Sequence, residues 1–419
     1  MYSTRKRRVA IAVAAMSVAC TAAMTACSSS QDSSAPAVVD KSALGTPNKA
    51  TGDPVTVGFI YNGKTQLGDT TDEVLGAQSA IGYANDYLGG INGHRIEFKA
   101  CASGLAPSGT TDCANQMVQA KAAAVVVGAL NNLDAAIDTL RPADIPIFMY
   151  GGTTQKSLST PGVYGFYNGM SAFGISAVQA QKAGAKKAAV IVAAVPVAQG
   201  SAEGVGKLVY GNAGVPLEVV PIPLGTADMM PQVTATGNDV GQYLVLGSDA
   251  FCLSSLKAIR TLAPKAAITI PDRCITVGTG GSIPNGYEGM EVATSGDYTP
   301  EAPDSKIFTA ALAEYGDGGK FGPTTGYGWQ PTLAFIQALN ATKPAELTPS
   351  SILAAVQSAP ALPLPLGGGV TYQCDGKQNP LSPFMCGNDG VVATAAKDGT
   401  LSDFRKVTLQ PSLFKLPGS

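Results

Sequence analysis

Apolar positions in this chain alternate between short β-branched runs and longer stretches of helical period. Residues 55–60 read Val-Thr-Val-Gly-Phe-Ile, which predicts a strand. After the polar loop 61–70, Val74, Ala77, Ile81, Ala84, Tyr87 and Leu88 recur at helical spacing, with Asp72 and Glu73 in the first turn. Gly89-Gly90 ends that helix, because glycine accepts the left-handed backbone of a helix C-terminus. Residues 96–99 form the next strand, so the stretch is one βαβ unit with parallel strands.

The alternation continues. Helices are predicted over 111–120 and 133–140, and strands over 123–127 and 146–150. Ligands of an open parallel sheet bind beyond the carboxyl ends of its strands, so the loops 61–70, 129–132 and 151–155 converge on one place. A second series follows, with helices at 175–182, 201–211 and 251–262 and strands at 187–193, 217–221, 243–246 and 268–270. The fold class is α/β, with two doubly wound parallel-sheet lobes. Later helices are predicted at 308–315, 332–340 and 351–357, an extended segment at 360–365, a polar excursion bracketed by Cys374 and Cys386, and a last strand at 404–409.

A family resemblance rests on strand, ligand loop, helix ending in Asn85-Asp86, then Gly89-Gly90-Ile91-Asn92-Gly93 and a further strand. This order resembles type I periplasmic binding proteins, and among them the leucine/isoleucine/valine-binding branch, the solute receptors of ABC importers. The likeness covers nearly all of the chain after about residue 53. It implies a three-segment hinge with crossings near 163–168, 292–298 and 341–348. The first lobe is then 55–167 plus 297–343 and the second 168–296 plus 344–412, with a ligand trapped as they close.

The resemblance also assigns site residues. Asn132 stands where the family has a serine, and Gly152-Thr153-Thr154 match its Ala-Ala-Thr run, so Asn132, Thr154 and nearby N–H groups are expected to hold an anionic group. The plainer reading of Thr153 and Thr154 is a cap on the next turn. Asp272, after Ile270-Pro271, matches the acid that meets an amine, while its neighbour Arg273 either neutralises it or meets an acidic ligand. The tyrosine before glycine of many relatives is absent from Val195-Pro196-Val197-Ala198-Gln199-Gly200, where Gln199 offers an amide instead. Tyr61 is an aromatic contact in a first loop that also carries Lys64, Gln66, Asp69, Asp72 and Glu73. The expected ligand is an amino acid or a similar small polar solute.

The ends and the cysteines add location. Arg5 to Arg8 are basic, residues 9–18 are apolar but too short for a permanent span, and Met24-Thr25-Ala26-Cys27 resembles a lipobox. Residues 1–26 are then a signal peptide and Cys27 the lipidated residue, with Cys20 as the alternative; 27–54, rich in Ser, Ala, Pro and Asp, reads as a disordered tether. Six cysteines remain and allow 15 connectivities; local pairing of Cys101 with Cys113, Cys252 with Cys274 and Cys374 with Cys386 is simplest. Reduced cysteines fit an exported chain poorly, and a metal site lacks both Cys-x-x-Cys and a second histidine beside His94.

The chain has 419 residues, 45% of them hydrophobic, enough for two cores. Without the four basic residues of the leader, 24 basic stand against 30 acidic residues, a charge of −6 that gives no footprint for nucleic acid. The one histidine argues against a Ser-His-Asp site, and Gly206-Lys207 lacks the spacing and the hydroxyl residue of a phosphate-binding loop. No enzyme activity and no cofactor is expected. The expectation is a lipid-anchored, monomeric, extracytoplasmic receptor that presents its solute to an ABC permease. A sensor of the same fold and a cell-surface hydrolase are the alternatives. Trp329, the only tryptophan, lies near a predicted crossing and is expected to report closure.

Overall fold

The computed structural model describes residues 40–66 and 68–418, so the leader, Cys20 and Cys27 lie outside the described residues. The first lobe is built on β1 (Gly52–Tyr61), α1 (Asp72–Tyr87), β2 (His94–Ala102), α2 (Pro107–Gln119), β3 (Ala124–Val127), α3 (Leu133–Leu140), β4 (Ile147–Met149), the short α4 (Gln155–Ser159) and β5 (Val163–Gly165). Its sheet is parallel throughout, in the order β2-β1-β3-β4-β5. Val57 of β1 lies opposite both Phe98 and Ala124. From Val57 to Tyr61 every β1 residue is buried, because helices cover both faces of the sheet. Phe59 and Val126 face Ala77 and Ile81 of α1, while Ile60 and Val125 face Met117 and Ile137.

The second lobe repeats the plan. It comprises α5 (Ser171–Lys182), β6 (Lys187–Ala193), α6 (Pro196–Ser201), α7 (Lys207–Asn212), β7 (Leu217–Ile222), α8 (Met230–Ala235), β8 (Val240–Leu246), α9 (Asp249–Leu262), β9 (Ala267–Pro271) and β10 (Glu291–Thr294). A π-helical turn, Ala202–Gly206, joins α6 to α7, so the helix expected from 201 begins at Pro196, a residue suited to a first turn. The sheet order is β7-β6-β8-β9-β10, the same reversal as in the first lobe. Two antiparallel strands extend its far edge.

The chain then returns to the first lobe as α10 (Pro303–Tyr315), α11 (Pro323–Thr342) and α12 (Pro349–Ser358). The helix expected from 332 starts nine residues earlier: Pro331 sits inside α11, which continues through it. α11 lies against α1 at backbone distance. A Cβ at Gly76 would overlap the Thr325 carbonyl, and one at Gly328 the Glu73 carbonyl.

Two expectations need correction. The third crossing does not lie at 341–348. Ile352 and Val356 of α12 are in the first lobe's core, and so are Tyr372, Cys374 and Cys386. The two-residue strands β11 (Leu362–Pro363) and β12 (Thr371–Tyr372) pair there, and the Cys386 N–H donates to the Gly165 carbonyl at 2.8 Å. The chain reaches the second sheet only with β13 (Gly390–Ala395) and β14 (Leu401–Val407), so 344–386 belongs with the first lobe. Helical period alone cannot say which core a helix faces.

Nor is the tether disordered as far as residue 54. Lys41–Leu44 form a short 3-10 turn whose Leu44 is buried with Tyr83 and Phe308. The Asn48 and Ala50 N–H groups donate to the Asp86 and Asn85 carbonyls at 2.8 Å, and Lys41 pairs with Glu314. These contacts fasten the entering chain to the end of α1. The disulfides join Cys101 to Cys113, Cys252 to Cys274 and Cys374 to Cys386.

Candidate functional site

The order of the first sheet reverses at β1, which has β2 on one side and β3 on the other. The crevice at such a switch point is where an open α/β sheet accepts a ligand. Asn62, the residue after β1, and the loop after β3 flank it. The Asn62 N–H donates to the Ala129 carbonyl at 2.9 Å, and Asn62 Oδ1 accepts from the Asn131 N–H at 3.1 Å. Asn131 Nδ2 is buried and has no partner among the described residues. Glu73, fully buried in the first turn of α1, accepts from the Ala129 N–H through Oε2 at 2.6 Å. Its other oxygen is 3.3 Å from Arg273 Nη2, which comes from the second lobe.

Asp272 and Arg273 follow β9 directly. The Asp272 carboxylate is buried and already engaged: Oδ2 accepts from the Ser295 N–H and hydroxyl, each at 2.8 Å, and Oδ1 from the Tyr327 hydroxyl at 3.3 Å. The Arg273 guanidinium stacks on Tyr327, 3.7 Å from the ring centroid. Tyr327 meets Tyr150 edge-on with centroids 4.9 Å apart, and Tyr150 stacks on Tyr167 at 4.7 Å. Burial pushes both acids up from the usual carboxylate range. Arg273 and the Ala129 N–H pull Glu73 partly back, and the two Ser295 bonds do so for Asp272.

The residues expected from sequence are placed unevenly. Asn132 commits its amide N–H to the Leu105 carbonyl at 2.7 Å, and Asn131 beside it supplies the free amide. Thr154 is the N-cap of α4: its hydroxyl accepts from the Ser157 N–H at 3.0 Å and donates to Asp134 at 2.7 Å. The Thr153 carbonyl accepts from the Ser201 hydroxyl of the second lobe at 2.9 Å, and Gly152 is buried beside Ser157. Gln199 lies in α6, half-buried, with no hydrogen bond to its amide among the described residues. Tyr61 ends β1 and is buried, its ring 5.7 Å from that of Phe59 and its carbonyl bonded to the Ser103 N–H at 2.8 Å. Asn62, Asn131, Tyr150 and Tyr327 went unrecognised in the sequence. The signal for Asn62 and Asn131 is the sheet order, which places the residues after β1 and β3 at the switch point; Tyr150, after β4, and Tyr327, in α11, carry no such signal.

Contacts that span the lobes include Glu73 with Arg273, Arg273 with Tyr327, Tyr327 with Asp272, and Thr153 with Ser201. Two lobes of one plan, with polar groups of both meeting beyond the strand ends, define a receptor that closes on a small solute. The chain belongs to the periplasmic binding protein family, whose model matches residues 54–388. That family is one of extracytoplasmic binding proteins.

Solved structures agree in fold. A solute-binding protein of an ABC transporter from Rhodopseudomonas palustris, in complex with 4-hydroxybenzoate, is 18% identical, with 86% of this chain and 98% of that chain covered and a TM-score of 0.68. A second, from R. palustris BisB5 in complex with 3,4-dihydroxybenzoic acid, is 17% identical, with 85% and 98% covered and a TM-score of 0.66. A branched-chain amino acid transporter substrate-binding protein from Streptococcus pneumoniae, in complex with isoleucine, is 17% identical, with 85% and 99% covered and a TM-score of 0.61. No curated protein matches the chain.

Proposed function

We propose that this receptor takes a small organic carboxylate between its lobes, an aromatic acid in preference to an α-amino acid, and delivers it to an ABC permease from a lipid anchor at Cys27. The observation that carries the ligand class is the imbalance of hydrogen-bonding groups in the crevice. The acid at the amine position, Asp272, already accepts three hydrogen bonds from Ser295 and Tyr327, whereas the Asn131 amide is buried with no acceptor among the described residues. Arg273 has five N–H donors, and Glu73 stands opposite only one nitrogen of its guanidinium. Donors left over ask for an anion, and a carboxylate matches the fork of a guanidinium.

Tyr61, Tyr150 and Tyr327 supply aromatic surface on the first-lobe side, which suits a planar ring. A carboxylate is also the shared chemistry of the hydroxybenzoates and isoleucine held by the structural relatives. Solute selection then follows from closure, which proceeds as far as the solute binds the closed form better than the open one.

Native mass spectrometry of protein extracted from membranes tests both parts. The expected result is a chain beginning at an acyl-modified Cys27 and carrying a small carboxylic acid. A soluble chain without acyl mass would remove the anchor, and a co-purified amino acid or sugar would remove the aromatic acid.

A further inference from the structure

A cavity of about 540 Å³ lies in the first lobe, away from the crevice between the lobes. That size holds a small organic molecule. One wall is a stripe of α11, where Trp329, Leu333 and Gln337 succeed one another at four-residue spacing. The facing walls are Asp304 and Ile307 of α10 and Leu362 of β11. Tyr327, which serves the crevice, is on the same helix but does not line this cavity.

The lining is apolar or aromatic apart from Asp304, Gln337 and Asn340. Gln337 Oε1 is buried and has no partner among the described residues. Asp304, at the rim, accepts one bond through Oδ2, from the Leu366 N–H at 3.0 Å. Its Oδ1 has no hydrogen bond and its charge no ion pair among the described residues. The amide of Asn340, which also lines the cavity, is spent at both ends, donating to the Gly90 carbonyl and accepting from the Asn92 N–H. A cation with an apolar body matches an apolar cavity whose rim carries the unpaired Asp304 carboxylate. An ammonium group has three donors and no acceptor, and the indole of Trp329 is a favourable neighbour for a cation.

We propose that this cavity is a second binding site, for an organic ammonium ion with a compact apolar body, its N–H groups meeting the Asp304 carboxylate at the rim. The site is independent of the solute crevice and of the reading given to it.

Trp329 is the only tryptophan and lines the cavity, so its emission reads occupancy directly. The mature protein is titrated with phenethylamine and with its neutral counterpart, phenethyl alcohol. A saturable change in emission is expected with the amine, at about tenfold or more lower concentration than with the alcohol, the discrimination of a charge-assisted bond. Asp304→Asn keeps an acceptor for the Leu366 N–H and is expected to weaken amine binding about tenfold, and Leu333→Phe, which narrows the cavity, to weaken it as well. Neither substitution should alter binding of the crevice solute. No saturable change with the amine, an equal response to the alcohol, or unchanged amine binding in both variants would overturn the proposal. So would loss of the amine signal in Asn131→Ala, because the amine would then occupy the crevice.

Discussion

Asn131 and Asn132 are neighbours with opposite fates. The family pattern points to Asn132, whose amide turns out to be tied to the Leu105 carbonyl, while the buried, unpartnered amide belongs to Asn131. A motif fixes a loop to within a residue or so, but the side chain that enters a crevice depends on the local backbone, which spacing does not report. Thr154 likewise obeyed its nearest demand, capping α4 as any threonine at a helix start tends to do. Asp272 was legible as a residue at a strand end, yet its partners Ser295 and Tyr327 lie far from it in the chain.

Asp272 is therefore first a structural acid. It joins the second crossing to β9 and reaches α11 of the other lobe, so Asp272→Ala leaves the Ser295 N–H and hydroxyl without their charged acceptor. Hydrogen bonds to charged groups contribute about 1.5–3 kcal/mol each. The expected outcome is a loss of stability of at least about 1.5 kcal/mol in urea denaturation, with little change in carboxylate affinity for the fraction that folds. A variant as stable as the wild type but unable to bind would return Asp272 to the ligand.

At the scale of elements, the βα alternation was readable because parallel strands covered on both faces are nearly uninterrupted apolar runs. α3 and β6 fall at the predicted residues. Boundaries slipped where proline misleads: Pro331 looks like a helix start but sits within α11, and Pro196 opens a helix that composition placed later. The side of the molecule on which α12 packs was not legible, because both lobes offer an apolar layer to a helix of that period. The close contact of α1 with α11 was invisible for another reason, since glycine in a helix carries no periodic signal.

That contact is the most exacting in the first lobe. A methyl group at position 328 would meet the Glu73 carbonyl, which belongs to the rigid first turn of α1. Gly328→Ala, although favourable for an isolated helix, is expected to destabilise the protein by about 1–3 kcal/mol, the usual cost of overpacking. It should also disturb Glu73 and hence the pairing with Arg273. Thermal unfolding decides the matter, and an unchanged or raised midpoint would show that the helices part without penalty.

The whole molecule is two copies of one sheet order, linked by crossings that run through the site itself. Ser295, on the second crossing, holds Asp272, and the chain leaves the first lobe for the last time only after Cys386. Closure and ligand contact are thus the same event: the groups that bridge the lobes, Glu73 with Arg273 and Tyr327 with Asp272, are those beside which a solute would lie. Trp329 stands apart from them. It is buried against Phe308 and Tyr83 and lines the separate cavity, so its emission is a poor gauge of closure despite its nearness in sequence to a predicted crossing.

The central claim is that the crevice selects an anion through Arg273. Calorimetric titration of wild type and Arg273→Gln with the hydroxybenzoates and with isoleucine tests it most directly. Glutamine keeps hydrogen-bonding capacity but removes the charge and the fork that suits a carboxylate. The expected result is that the wild type binds an aromatic acid more tightly than isoleucine, and that Arg273→Gln weakens the acid by about tenfold or more. Equal affinity in the two proteins, or tight binding of isoleucine alone, would contradict the account.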